Sequence, residues 1–411
     1  MASIFGINFG NKIPSTDKFE ASIKQLELDF ERFTEIEKSD LLLRYNELKD
    51  IVNSPEFNSK VKKLKKERFK DTLAFAKEKE FKALKRSRIV KRYNKFLSKG
   101  NNEKAEELKS TAEVIKYYEL KEYTVSQEFT EIKAHMTDKN RYKNSEEHKL
   151  IEEFTSLEKN DDLNWFFKTQ NNNSFEELNK WSLTFEEQFS TNTLDKNKWL
   201  TGYFWGKTLL NDNYVQANEK QFFTDKNVST SNNCAQITTK TEKCTGKVWD
   251  TAIGFRPQEF NLTSGIINTG QSFRQQYGKF EAKIKFTHNK DAQHIFSLHS
   301  ETVTPQINIC KSGKSSNKSI VGNFWQQNNE VQANEKTLNA PTSTSKYLIY
   351  SLEWSKNKLE WKINGSTIHT ETNNIPTDPM YLSFSTHFLE EPKNGLPLSF
   401  DIDWVKTYKL N

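Results

Sequence analysis

Only three of the chain's 14 glycines, Gly6, Gly10 and Gly100, precede residue 200, and of nine prolines only Pro14 and Pro55 precede residue 250. That division constrains the fold more than any other feature. Gly and Pro interrupt helices and punctuate turns, so a long interval that lacks them and is rich in Lys, Glu and Leu reads as helix. The later region, where Gly, Thr, Asn and seven of the nine Trp recur at short intervals, reads as strands and turns. We therefore expect a multidomain chain: an all-α part over residues 1–165, a linker over 166–181 marked by Asn171, Asn172 and Asn173, and an all-β part over 182–411.

Within residues 16–168, apolar side chains recur at three- and four-residue spacing, as in Leu26, Phe30 and Phe33, or Ile89, Tyr93 and Phe96. An internal echo accompanies the stripe. Residues 44–57 read RYNELKDIVNSPEF and residues 116–129 read KYYELKEYTVSQEF, with seven of 14 positions identical. In each copy a helix runs into a serine, followed by Glu-Phe two positions later. Ser54 and Ser126 are thus expected to be N-caps, with Pro55 at the first helical position. A duplicated helical hairpin is the simplest interpretation.

Charge is concentrated in this half. Residues 60–99 carry 17 Lys or Arg against four acidic residues, a local net of +13 in a chain whose total is +6. Such a run suits a nucleic acid or an acidic protein, while a solvated helix face accounts for it equally well. A protein partner for the helical part is expected. His135 and His148 have no neighbouring Cys or His, which argues against a metal site there. The opening residues lack a basic leader followed by an apolar run, so no secretory signal is expected and synthesis in the cytoplasm follows. No segment is apolar enough for membrane insertion. Three cysteines, Cys234, Cys244 and Cys310, read as free thiols, with a Cys234–Cys244 link across a hairpin left open.

Beyond Trp181 the pattern becomes alternating. Residues 348–354, 358–363 and 367–369, with a tight Asn364-Gly365 turn, predict consecutive antiparallel strands, and the full stretch predicts two packed sheets.

Four blocks in this half carry a family resemblance: LTFEEQFSTNTLDKNKW (183–199), LTSGIINTGQSFRQQYGKFEAKIKF (262–286), YLIYSLEWSKNKLEWKINGSTIHT (347–370) and SFDIDWVKTYK (399–409). Together they resemble family 16 glycoside hydrolases, the laminarinase and agarase group. The resemblance implies a concanavalin-like jelly roll with a sugar-binding cleft across its concave sheet. It also implies a catalytic strand of pattern E-I-D-I-x-E, with the first Glu as nucleophile, the Asp supporting it and the last Glu as general acid and base. QINICK (306–311) falls on that pattern. Alternation puts its first and third positions on one face, and a bulge would bring the sixth to the same face. The family positions then read Gln306, Asn308 and Lys311, two amides and a cation, none able to serve as nucleophile or proton donor for a glycosidic bond. The nearest other acid is Glu301. The strand Gln293–Leu298 lacks the family's stacking tryptophans, and Ile266 stands where the family usually has Arg.

The expectation for the site is a non-catalytic one. Tyr203, Trp205, Gln293, Gln306, Asn308, Lys311 and Trp325 are the candidates for holding a polysaccharide or other glycan. No cofactor is expected. The family's structural calcium would draw on Asp403, but its other carboxylates read Glu187-Gln188 here. Three functions stay in view: a carbohydrate-binding pseudo-glycosidase on a helical anchor, a structural assembly protein using the sandwich for protein contacts, and a glycosidase with an atypical site. A setting that joins cytoplasmic synthesis to outside glycans is a bacteriophage virion, with the helical part docked on capsid, collar or tail.

Overall fold

A computed structural model describes residues 13–171, 175–302, 304–339 and 346–411, together with the backbone of a two-stranded ladder pairing residues 3–4 with 7–8. The rest of the opening decapeptide, and Asn172 and Asn173 of the polar joint, lie outside the described residues. The chain forms two compact units. One holds residues 31–172, and the other combines residues 1–30 with 173–411. Among the described residues no helix is long and apolar enough to cross a membrane.

The helices are α1 (Thr16–Glu37), α2 (Asp40–Asn53), α3 (Pro55–Lys66), α4 (Leu73–Leu84), α5 (Arg88–Ser98), α6 (Asn102–Lys109), α7 (Ala112–Thr124), α8 (Gln127–Thr137), α9 (Glu146–Glu158) and α10 (Asp161–Gln170). The sequence echo maps onto α2–α3 and α7–α8. Ser54 accepts a hydrogen bond from Phe57 N–H, and Ser126 from Phe129 N–H, each at 3.2 Å, with Pro55 opening α3 as expected. Val90, Tyr93, Ala105, Val114 and Tyr117 from α5, α6 and α7 form one apolar cluster, and Ile36, Leu42, Leu163 and Phe166 form another. Within the basic run, Lys60 pairs with Glu147, Lys82 with Glu78, and Lys65 sits over the Tyr142 ring.

The domain boundaries differ from the sequence expectation in two ways. Residues 166–170 complete α10 with Phe166 buried, and residues 176–179 are helical, so most of the expected linker is regular structure. The first half of α1 belongs to the sandwich unit. Thr16 Oγ1 donates to Tyr347 O at 2.6 Å, Asn364 Nδ2 donates to Pro14 O at 2.8 Å, and Lys283 pairs with Glu20 at 2.8 Å. Helical periodicity marks α1 as amphipathic, but it does not say which unit receives its apolar face.

The sandwich has two sheets. The inner one contains β1 (Leu200–Thr201), β2 (Ile266–Asn268), β3 (Ala292–His299), β4 (Gln306–Ser312), β5 (Lys318–Gln327), β6 (Glu330–Asn339) and β7 (Tyr381–Phe388), in the order β6-β5-β4-β3-β7-β2-β1. The outer sheet centres on Gly278–Phe286, Leu348–Ser355 and Leu398–Leu410. Phe280, Ile284, Leu352 and Phe400 from the outer sheet meet Phe296, Leu298, Ile307 and Phe384 from the inner one, all fully buried. Phe296 and Phe384 stack at 4.5 Å. Each such side chain contributes about 2–3 kcal/mol on burial, which holds the two sheets face to face. The Asn364-Gly365 turn has positive φ at both residues, 45° and 74°, the tight hairpin the dipeptide predicts.

Cys234 and Cys244 lie on one strand, Cys234–Asp250, ten residues apart. That separation is about 30 Å of extended backbone, so the open question of a link between them is settled against it.

Candidate functional site

Strand β4 answers the question posed by QINICK. Its pairing with β3 matches Phe296 to Cys310 and Ser297 to Asn308, leaving Ile309 as an extra residue, and the ladder with β5 shifts between Asn308 and Lys311. This is the β-bulge that the resemblance implies. Ile307, Ile309 and Cys310 all enter the core, so Gln306, Asn308 and Lys311 share the opposite face. The bulge is pinned from below, where Trp361 Nε1 of the outer sheet donates to Asn308 O at 2.9 Å. Burial pushes the Cys310 thiol up to about 12, in keeping with an inert core residue.

The three polar residues form a network. Gln306 Nε2 donates to Asn308 Oδ1 at 2.8 Å, and Asn308 Nδ2 lies 3.4 Å from Glu335 Oε1. Lys311 Nζ forms a close ion pair with that same oxygen. Glu335, on β6 across the sheet, was not among the residues singled out from sequence. Glu301 pairs with Arg274 instead.

Beside Gln306 the inner sheet bears a cavity of about 600 Å³. Its floor is Ile295, Ser297, Ser383 and Ser385, and Tyr203, Trp205, Trp249 and Phe255 supply aromatic walls. Trp249 and Phe255, 4.8 Å apart between ring centres, come from the hairpin joining Cys234–Asp250 to Gly254–Ser264. Both are more than a third exposed. Neither falls on a tryptophan position of the resembled family, so the resemblance does not point to them. Their signal was an aromatic at each end of a short turn, WDTAIGF.

Of the expected glycan-binding residues, Tyr203, Trp205 and Gln306 line this cavity. Asn308 and Lys311 continue the same face of β4 outside it. Gln293 also sits on that face outside the cavity, at the far end of β3 opposite His387. One candidate is corrected. Trp325 is on the other side of the sheet. Gln306 pairs directly with Phe324, so alternation turns Phe324 to the cleft and Trp325 away from it.

Tyr203 leads to a second polar group. Its hydroxyl donates to Glu219 at 2.9 Å, and Glu219 also meets His387 Nδ1, whose Nε2 is 2.7 Å from Ser385 Oγ. Burial alone would raise the Glu219 carboxyl, but His387, Gln216 N–H and Tyr203 outweigh it and hold the group below the usual carboxylate range. Burial pushes His299 down to about 4.

The residues around Asp403 do not fit a calcium ion. Asp403 Oδ2 lies 3.1 Å from Lys283 Nζ, which also reaches Glu20, so the carboxylate a calcium ion would draw on is already paired with an ammonium. Among the described residues no group of three or more His, Cys, Asp or Glu could hold a metal.

The C-terminal region carries a glycosyl hydrolases family 16 domain, matched over residues 215–406. The region is also similar to an endo-1,3-1,4-beta-glycanase, EglC, of Rhizobium meliloti (strain 1021). The two are 23% identical over 243 residues, which is 56% of this chain and 52% of that protein. The chain thus spans about half the length of the curated relative it matches. Similar solved structures include the laminarinase catalytic domain from Thermotoga maritima MSB8, at 19% identity and TM-score 0.46, covering 56% of this chain and 98% of that one. Another is the endo-beta-1,3-glucanase from Pyrococcus furiosus, at 17% identity and TM-score 0.46, covering 56% and 95%.

Proposed function

We propose that the sandwich binds a glycan in its inner-sheet cleft and does not cleave glycosidic bonds. The observation that carries this reading is the shared cleft face of Gln306, Asn308 and Lys311. A retaining glycosidase needs two carboxyl groups about 5–5.5 Å apart, one nucleophilic and one protonated. Neither an amide nor an ammonium supplies either role, and the nearby carboxylate, Glu335, is neutralised by Lys311. Binding has support of its own. Aromatic rings at Tyr203, Trp205, Trp249 and Phe255 offer faces to sugar rings, and Gln306 offers hydrogen bonds to hydroxyls. The name of the Rhizobium relative makes a β-glycan with mixed 1,3 and 1,4 linkages, such as a mixed-linkage β-glucan, the first ligand to try.

The helical unit would serve as the anchor. Its net of +13 over residues 60–99 supports docking on an acidic partner, and salt above about 0.3 M would then release it.

Affinity electrophoresis in gels containing β-glucan tests the cleft. Retardation that disappears in Trp205→Ala, with no reducing sugar released by wild-type protein, is the expected result. Release of oligosaccharides by pure protein would overturn the reading.

A further inference from the structure

The Ser385, His387 and Glu219 arrangement has no part in glycan holding as proposed above, yet its order of groups carries a chemistry of its own. Ser385 and His387 are two residues apart on β7, so the pleat puts both on the cleft face, and both line the cavity. His387 Nε2 and Ser385 Oγ are 2.7 Å apart. His387 Nδ1 faces the Glu219 carboxylate, which accepts its proton. That contact selects the Nδ1–H tautomer and leaves Nε2 as an acceptor for the Ser385 hydroxyl. Glu219 is held in turn: its second oxygen accepts Gln216 N–H at 2.7 Å within a short turn, and Tyr203 OH donates to the first at 2.9 Å. The Phe223 ring packs edge-on against the imidazole at 5.3 Å. Ser385 is flanked in the ladder by Ile266 on one side and Ile295 on the other, both facing the cleft, which makes a small apolar bay beside the hydroxyl.

We propose that Ser385, His387 and Glu219 form an acyl-transfer site that hydrolyses short-chain carboxylic esters, of the O-acetyl type, carried by a hydroxylated ligand in the cleft. A nucleophile, a base and a positioning carboxylate in hydrogen-bonded sequence are the parts such a reaction requires. Ser385 Oγ attacks the ester carbonyl carbon while His387 Nε2 takes the hydroxyl proton. The bond to the alkoxy oxygen breaks, and that oxygen leaves with the proton from His387. Water then attacks the acyl-serine, giving its proton to His387. The carboxylic acid departs and Ser385 recovers its proton, so the net change is ester plus water to alcohol plus acid. The Ile266 and Ile295 bay fits a short acyl chain. The backbone N–H groups of β7 are committed to its two ladders, so stabilisation of the oxyanion falls to floor hydroxyls such as that of Ser383. Turnover is therefore slow, and the acyl-serine accumulates with an activated ester, whose acylation outpaces hydrolysis of the acyl-serine. The natural ester rests on the glycan reading, whereas the site itself does not.

Ser297 is an internal comparison. Both it and His299 lie on β3, the neighbour of β7, and its Oγ is 2.8 Å from His299 Nε2, but among the described residues His299 has no carboxylate partner. Full-length protein would be treated with diisopropyl fluorophosphate and digested for mass spectrometry, and separately assayed with p-nitrophenyl acetate. The expected result is an adduct on Ser385 and none on Ser297, with a burst followed by slow release. Ser385→Ala abolishes both signals. His387→Gln lowers the rate about 100-fold or more. Glu219→Gln lowers it and moves the acidic limb of the pH–rate profile, a change that loosened packing alone would not produce. Absence of an adduct on Ser385 in protein with unchanged near-UV circular dichroism would overturn the proposal, as would an ester rate indifferent to His387→Gln. Retained β-glucan retardation by wild-type protein that carries no adduct on Ser385 separates this outcome from failure of the glycan reading.

Discussion

Restoring a carboxylate at position 311 is the natural way to ask whether the cleft can be made hydrolytic, and the geometry predicts that the attempt fails unless Glu335 is changed too. In the present structure Lys311 and Glu335 attract each other, with the Lys311 side chain only 14% exposed. Lys311→Glu replaces that attraction by repulsion between two carboxylates. At about 4 Å and an effective dielectric of about 20, each interaction is worth about 4 kcal/mol, so the bare electrostatic change is large. The pair has an escape, because it can bind one proton and share it. Protonating a carboxyl of ordinary pKa, about 4.3, costs about 3.7 kcal/mol at pH 7, which caps the repulsive part of the penalty. With solvent screening of the partly exposed Glu335, we expect Lys311→Glu to lose about 2–4 kcal/mol at pH 7. The sign follows from the linkage: a carboxyl whose folded pKa is raised destabilises the fold above its unfolded pKa and ceases to do so below it. At pH 5 the cap falls to about 1 kcal/mol. Adding Glu335→Gln restores stability at pH 7 to within about 1 kcal/mol of wild type. Urea unfolding of the two single variants and the double variant at pH 7 and pH 5 measures the cycle. A loss below about 0.5 kcal/mol in Lys311→Glu at pH 7, or no relief from Glu335→Gln, would refute the reasoning. Any attempt to install Gln306→Glu, Asn308→Asp and Lys311→Glu for hydrolysis should then include Glu335→Gln.

Other consequences are open to simpler measurements. Trp249→Ala or Phe255→Ala should weaken β-glucan binding about 5- to 10-fold while leaving the unfolding midpoint unchanged, because both rings lie at the exposed cleft rim; titration calorimetry and thermal melts check the two halves of that statement. His294 is fully buried, bonded to Thr386 Oγ1 and Thr287 O, and burial lowers it from 6.5 to about 4. Its unfolded form binds a proton first, so stability is complete above pH 6.5 and falls toward pH 4; the loss between pH 7 and pH 5 is about 2 kcal/mol, and His294→Gln should flatten that slope. Ser54→Ala and Ser126→Ala should each cost the helical unit about 1 kcal/mol, read by the far-ultraviolet melt, with the sandwich's near-ultraviolet signal unaffected.

Much of the architecture was legible because its causes are local. Scarce Gly and Pro with three- and four-residue periodicity predicted the helices, and the echo at residues 44–57 and 116–129 located two N-caps that the structure contains. The QINICK segment predicted its own face by alternation, and the bulge at Ile309 brings Lys311 to that face. The same alternation, read across a ladder, removes Trp325 from the cleft; only the pairing of Gln306 with Phe324 decides that, and register is a property of two strands together.

The amino-acid sequence by itself determined the two folding regimes, the strand that would carry catalysis in the resembled family, and the amides and lysine it carries instead. Tertiary structure decided which groups meet them. Glu335 reaches Lys311 from 24 residues away, Glu219 reaches His387 from 168, and the first half of α1 contacts a turn more than 300 residues downstream. Periodicity extends over a few residues and constrains a face; a partner is chosen by sheet order, register and the paths of loops, which depend on the whole packed core.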